Sequence, residues 1–381
     1  MISLVSSTID NTDIDRLIDW LKTYPRLTKG NITLELEQKW SKWLGTNHSL
    51  FCNSGSSANL LMLYALKCSD RLKNQKVVVP GLSWATDLAP VIQLGMSPLL
   101  CDCNLETLSV DLEHLEKIFK RHAPSVFLLV SILGFSPPMD KIVKLCERYD
   151  VILLEDNCES TGTMFKKKKL GTFGLMSSFS TYFGHHISTI EGGFVSTNDK
   201  EMNDILMSIR SHGWGRDWDK ATQQKYKSAY QVSDFNSLYT FFYPGFNFRS
   251  TDLQAYIGLT QIDKLPYICK RRNDNYNLYR SKLKTEWKPL PITGTFTSNF
   301  AYPIIHPNRE AIVSELTKCD VEIRPLVCGS MATQPFYTDF YNKVTLPNCN
   351  IVDTQGIYVP NHVGITDKDI TIICDAVNKC L

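Results

Sequence analysis

The chain has 381 residues, with 41 Lys+Arg against 39 Asp+Glu and 43% hydrophobic residues. A formal charge of +2 excludes a general polyanion binder, which needs a basic face or stripe. Charged residues at 21%, with 20 Gly and 17 Pro, exclude disordered and fibrous classes, and the length suits two or three structural units of roughly 150 residues.

Residues 1–50 read as an irregular lead-in carrying one helix, Leu34–Leu44. From about residue 55 to 200, short apolar runs alternate with amphipathic stretches. The runs are Lys76–Val79, Pro98–Cys101, Val126–Ile132, Val151–Leu154, Ser177–Tyr182 and Gly193–Ser196. The stretches between them include Ala58–Lys67, Leu112–Arg121 and Lys141–Tyr149. Continuous apolar strands alternating with helices predict a mostly parallel sheet covered on both faces, with ligands at the carboxyl ends of its strands. From about residue 250 two further helices are expected, Asp252–Leu265 and one near Tyr276–Lys284, then a mixed α+β tail. The expected division is a large unit, 1–250, and a smaller one, 251–381.

The longest apolar run, Val126–Leu133, is strand-sized and far short of a bilayer span. The N-terminus turns acidic within about ten residues and lacks a basic n-region, so no signal peptide is expected. The 12 cysteines are scattered and read as reduced thiols of a cytoplasmic protein. The only close pair, Cys101 and Cys103, has no second pair at zinc spacing, so no metal site is expected.

Four places could carry chemistry. Asn53–Ala58 (NSGSSA) opens a helix, and its free N–H groups suit a phosphate, although an ordinary Ser cap explains it as well. Glu155 and Asp156 end an apolar strand, with Glu159 just beyond; either a site or a simple cap fits. His185 and His186 lie in a Gly-bounded turn, as a positioned base or as packing. Trp84 is core by default, or a surface that stacks on a flat ring.

Together with Gly245–Leu259 (GFNFRSTDLQAYIGL), these pieces resemble the DegT/DnrJ/EryC1/StrS family of pyridoxal-phosphate-dependent sugar aminotransferases. The resemblance runs from about residue 25 to the PNHVGITDKDI segment near the C-terminus. It implies the aspartate aminotransferase fold: an α/β large domain with a mostly parallel seven-stranded sheet, plus a smaller C-terminal α+β domain. It also implies roles. Asp156 would pair with the pyridinium nitrogen, Glu159 would sit near the ring hydroxyl, and Trp84 would stack on the ring. Gly55, Ser56 and Ser180 would hold the phosphate. Asn247 would reach the phosphate of a partner subunit, since family sites lie at a homodimer interface. His212, Arg249, Glu322 and Arg324 would lie on the substrate side.

One departure from the family pattern decides the expected reaction. Family aminotransferases carry a cofactor-linking lysine six residues before the Glu of E-G-G. Six before Glu191 is His185, and no Lys lies between Lys169 and Lys200. Imidazole cannot make that covalent link. The chain therefore resembles the His-bearing sugar 3-dehydratase branch, with His185 as base. The implied reaction removes the C3 hydroxyl of a nucleotide-linked 4-keto-6-deoxyhexose, GDP-4-keto-6-deoxymannose being the expected one. Pyridoxamine phosphate would be regenerated by L-glutamate, and ammonia released. A cluster-bearing, reductase-dependent version is disfavoured, because Cys269, Cys319 and Cys328 stand apart. An ordinary aminotransferase and a silent sugar-nucleotide binder remain the alternatives.

Overall fold

The computed structural model describes residues 1–290 and 292–381. The chain opens with α1 (Asn11–Leu21) and α2 (Asn31–Leu44), then β1 (His48–Cys52), α3 (Gly55–Lys67), β2 (Lys76–Pro80), α4 (Ala85–Gln93), β3 (Ser97–Cys101) and α5 (Leu112–His122). It continues through β4 (Val126–Val130), α6 (Met139–Arg148), β5 (Ile152–Asp156), the short β6 (Met164–Phe165) and β7 (Lys168–Lys169), β8 (Met176–Ser180), β9 (Gly193–Thr197) and α7 (Lys200–Arg210). Two exposed helices follow, α8 (Lys220–Tyr230) and α9 (Asp234–Ser237), and then the long α10 (Asp252–Lys282). The last part holds β10 (Thr295–Phe296), β11 (Tyr302–Ile305), α11 (Arg309–Lys318), β12 (Arg324–Pro325), α12 (Pro335–Thr338), α13 (Pro347–Gln355), β13 (Gly356–Val359) and α14 (Asp367–Asn378).

The main sheet has seven strands in the order β1-β9-β8-β5-β4-β2-β3. Strand β9 alone runs against the others, antiparallel to β1 and β8, while the remaining pairs are parallel. The sheet is thus mostly parallel, as the unbroken apolar runs require: every residue of β4, β8 and β9 is buried. Register aligns Val130 with Asp156, and Ser180 with Gly193, which in turn faces Cys52. The C-terminal ends of β4, β5, β8 and β1 therefore share one edge. A three-stranded antiparallel sheet, β11-β13-β12, forms the core of the C-terminal part, and Ile2 bridges to Val321 just before β12.

Four expectations about elements need correction. The lead-in, read as irregular apart from one helix, ends in a strand of the main sheet, β1, which starts at His48. The lead-in contains a second helix, α1, closed by a reciprocal box in which Asp10 accepts from the Asp13 N–H and Asp13 from the Asp10 N–H. The two helices expected after residue 250 are one 31-residue helix that runs through Pro266. A proline removes one helical hydrogen bond; here the apolar side chains on both sides of it, Ile262, Leu265, Ile268 and Cys269, stay buried in one cluster with α2. Finally, the run Val126–Ile132 leaves the sheet at Val130, because Leu133 takes a left-handed backbone, φ 50°, in the turn Ile132–Gly134.

Candidate active site

A cavity of about 410 Å³ opens at the shared strand edge. Seven of the residues singled out in the sequence line it: Gly55, Ser56, Trp84, Asp156, Glu159, Ser180 and His185.

One wall is the N-terminus of α3. The Ser54 side chain caps the helix by accepting from the Ser57 N–H at 3.0 Å, and the Ser54 carbonyl takes the Ala58 N–H. The first-turn N–H groups of Gly55 and Ser56 are left over, and both residues line the cavity. Ser180 closes the other side. A Cβ on Gly55 would fall 2.7 Å from the Ser180 Cβ and 2.9 Å from the Cys158 Sγ. Only glycine lets the helix start and the end of β8 approach this closely, and the cradle suits a phosphate.

The two carboxylates at the end of β5 separate in function. Glu155 faces away from the cavity and accepts from the N–H groups of Gly171, Phe173 and Gly174 at 2.7–2.8 Å; it braces a turn. Asp156 is 5% exposed and lines the cavity. Its Oδ1 accepts the Cys158 N–H at 2.8 Å and its Oδ2 the Asn59 amide at 2.5 Å. The same Asn59 amide donates to Asp87 Oδ1 at 3.0 Å, and Asp87 Oδ2 accepts the Trp84 N–H at 2.9 Å. Burial, then the charge of Asp156, push the Asp87 carboxyl well above the usual range. Burial also raises Glu159 to about 7, against the pull of the Leu133 N–H that its Oε2 accepts at 2.7 Å. The Trp84 indole remains 53% exposed although it lines the cavity, which leaves a free apolar face.

His185 faces this floor. Burial drives its pKa down to about 4, with Arg272 adding to the effect and Asp156 opposing it. Its ring is therefore uncharged at neutral pH, and its buried Nδ1 has no protein partner among the described residues. His186 is fully buried, its Nε2 lies 3.0 Å from the Ser298 carbonyl, and it does not line the cavity. The adjacent histidines thus point apart, one to the cavity and one into packing.

The other sequence candidates lie elsewhere. Asn247, His212 and Arg249 form a separate cluster: Arg249 Nε donates to Asn247 Oδ1 at 3.1 Å, and its Nη2 lies 3.3 Å from the His212 ring. None of the three lines this chain's cavity. Glu322 and Arg324 pair at 2.6 Å beside it, Glu322 accepting the N–H of the lining residue Leu4 at 2.9 Å, and Arg324 lying opposite the lining residue Tyr358. Sequence reasoning missed Asp87, Asn59 and Arg272. Asp87 had a local signal, since it stands three residues after Trp84 as a capping box demands. Asn59 and Arg272 had none. Away from the cavity, Asp102, Cys103 and Cys349 meet within 4.8 Å; the Asp102 oxygens there accept the Asn348 and Cys349 N–H groups and cap α13.

The features that a pyridoxal phosphate group needs are present: a phosphate cradle, a carboxylate floor, an open aromatic face and a buried imidazole nitrogen without a partner. The sequence matches the DegT/DnrJ/EryC1/StrS aminotransferase family over residues 7–378. It is 32% identical to a GDP-4-keto-6-deoxy-D-mannose 3-dehydratase of Yersinia pseudotuberculosis, over 94% of this chain and 93% of the relative. It is 25% identical to a GDP-perosamine synthase of Caulobacter vibrioides, over 100% of this chain and 98% of the relative. The structure superposes on the Escherichia coli GDP-4-keto-6-deoxy-D-mannose-3-dehydratase with bound hydrated pyridoxal phosphate at a TM-score of 0.90 and 30% identity, covering 99% of both chains. With the sheet, the cavity and these likenesses in agreement, the chain belongs to the DegT/DnrJ/EryC1/StrS aminotransferase family and has its fold.

Proposed function

We propose that the chain is a pyridoxal-phosphate-dependent sugar-nucleotide 3-dehydratase. It removes the C3 hydroxyl of a nucleotide-linked 4-keto-6-deoxyhexose, GDP-4-keto-6-deoxymannose first among the candidates, with glutamate restoring the amine form of the cofactor and ammonia released. The observation that carries this reading is the lining of the cavity: a histidine and no lysine, among the described residues. A family aminotransferase needs a lysine there to hold the cofactor covalently.

When bound, pyridoxamine phosphate supplies an amine that joins the 4-keto carbon and a protonated ring that draws electrons away from it. The chain's residues do the rest. The N–H groups of Gly55 and Ser56, with the Ser180 hydroxyl, hold the phosphate. Asp156 holds the proton on the ring nitrogen, and Trp84 covers one ring face. Glu159, with a pKa near 7, keeps or releases a proton beside the ring hydroxyl. His185, uncharged and buried, would take the proton from the cofactor's methylene carbon and pass a proton to the C3 oxygen, which would leave as water. A neutral imidazole is the form that can accept a proton, so burial keeps His185 in the state a base needs, at the cost of basicity. His212, Arg249 and Asn247 complete the site of a partner subunit in a homodimer, and Glu322 and Arg324 hold the substrate rim. The protein works in the cytoplasm without a reductase.

The test is a panel of 4-keto sugar nucleotides with glutamate and the cofactor, assayed for product mass and ammonia. A 3-deoxy product with ammonia released supports the reading. An amino sugar with no ammonia would assign the chain to the aminotransferases, as would a cofactor adduct fixed by borohydride to a residue of Thr181–Glu191.

A further inference from the structure

Asp87 is the buried acid of the cavity that the scheme above leaves without a role. It is 1% exposed and lines the cavity. As a helix cap alone it would be oddly placed. The matching acid of the α1 box, Asp13, is also buried but is paired with Lys264, whereas this one lies against a second buried carboxylate, Asp156, with one amide shared between them. Asn59 Nδ2 reaches Asp87 Oδ1 at 3.0 Å and Asp156 Oδ2 at 2.5 Å, so the two carboxyls meet across a single nitrogen. The titratable groups that face Asp87 are Asp156, Cys158, Glu159 and Cys328, with His185 beyond Asp156. Cys158 and Cys328 are held as thiols by burial, so the surroundings offer Asp87 no cation. Two adjacent buried carboxylates cannot both remain ionised, and one proton between them removes the repulsion.

We propose that Asp87 is a positioning residue: as the neutral acid it donates its proton to Asp156, while its other oxygen holds the Trp84 backbone, so that one side chain fixes both the floor and the aromatic wall of the cofactor site. Asp156 keeps the single negative charge that the ring nitrogen of a bound cofactor needs. Trp84 is locked at the start of α4 by the same group. The proposal rests on the cofactor reading of the cavity.

Asp87→Asn and Asp87→Ala test it. An amide reproduces most of a neutral acid: it donates to Asp156 and accepts from the Trp84 N–H, and gives up only the Asn59 amide, which keeps Asp156 and the Thr86 carbonyl as acceptors. Pyridoxamine phosphate affinity, read by fluorescence titration, should stay within about threefold of wild type in Asp87→Asn and fall roughly ten- to hundredfold in Asp87→Ala. The second arm needs no cofactor. In the unfolded chain Asp87 ionises near pH 4, while the fold retains its proton, so wild-type stability must fall relative to Asp87→Asn as pH rises above about 4. Thermal unfolding across that range should show the gap opening in favour of the Asn variant. A gap that closes or reverses would mean that Asp87 is ionised in the fold, and would overturn the proposal. So would cofactor affinity lost equally in the Asn and Ala variants. If the wild type bound neither cofactor form, the cofactor reading would fall and this proposal with it; failure confined to the Asp87 variants overturns this proposal alone.

Discussion

At the residue scale, His185 and His186 are covalent neighbours with opposite surroundings, and the difference is testable. His185→Asn keeps polarity and approximate volume but cannot carry the proton, so turnover should drop on the order of 100- to 10,000-fold with pyridoxamine phosphate still bound. His186→Asn removes a buried contact to the Ser298 carbonyl and should act through stability, leaving the rate per folded molecule near wild type. The reverse ranking, measured by steady-state kinetics and thermal unfolding together, would move the base to His186. Glu159 supplies a second test. Its pKa in the fold is about 7, above the roughly 4.3 of a free Glu. Between those values the unfolded chain ionises and the fold does not, so this group costs stability progressively as pH rises through the window and no further above it. Glu159→Gln should therefore gain in Tm over wild type from about pH 4.5 to 7, with a constant difference beyond. A flat difference would show that Glu159 is ionised throughout.

At the element scale, the phosphate cradle depends on a buried polar brace. Arg210, at the end of α7, is 1% exposed and pairs with Glu37 of α2. Arg210 also donates to the Phe51 carbonyl at 2.8 Å, and Glu37 accepts the Phe51 N–H at 2.8 Å. Phe51 lies in β1, one residue before the strand end that leads into α3. Two helices thus fix the strand that delivers Gly55 and Ser56. Removing one partner leaves the other charge buried alone, which costs about 3–5 kcal/mol. Arg210→Ala should lose that much by denaturant titration and should also weaken phosphate-dependent cofactor binding. A loss below about 1 kcal/mol would show that water replaces the guanidinium. Helix α10 has a similar bridging part: its buried Arg272 donates to the Phe300 carbonyl at 2.7 Å and to the Asn361 carbonyl, tying the C-terminal segments to the cavity wall that Phe300 forms.

At the scale of the whole molecule, the cluster of Asn247, His212 and Arg249 lies outside its own chain's cavity. If it completes a partner's site, two inactive variants should rescue each other. Mixed under exchanging conditions, His185→Asn and Asn247→Ala place one intact site in each mixed dimer. A statistical mixture then recovers about a quarter of the wild-type sites, a consequence of two-fold symmetry. Recovery of turnover above the sum of the separate variants supports shared sites; no recovery, with exchange verified by mass, would confine each site to one chain.

The sequence by itself determined six of the seven strands of the main sheet, missing β1, together with the start of α3 and the chemistry-bearing positions at strand ends. Each is written in local signals: unbroken apolar runs for buried strands, Ser54 before the glycine for the start of α3, and a family spacing that puts His185 where a lysine would stand. It also determined the side of the sheet on which the cavity lies, because parallel strands carry their ligands at one edge. Tertiary structure alone decided which neighbours act together. Glu155 and Asp156 look equivalent in sequence, yet alternation along β5 sends one to a turn and the other to the cavity. Asn59 is 97 residues from Asp156, and only the strand order brings their side chains together. The two helices expected after residue 250 became one, because packing against α2 outweighs a single proline. Proton sharing, burial and charge depend on what surrounds a group in space, and a linear pattern holds no record of that distance.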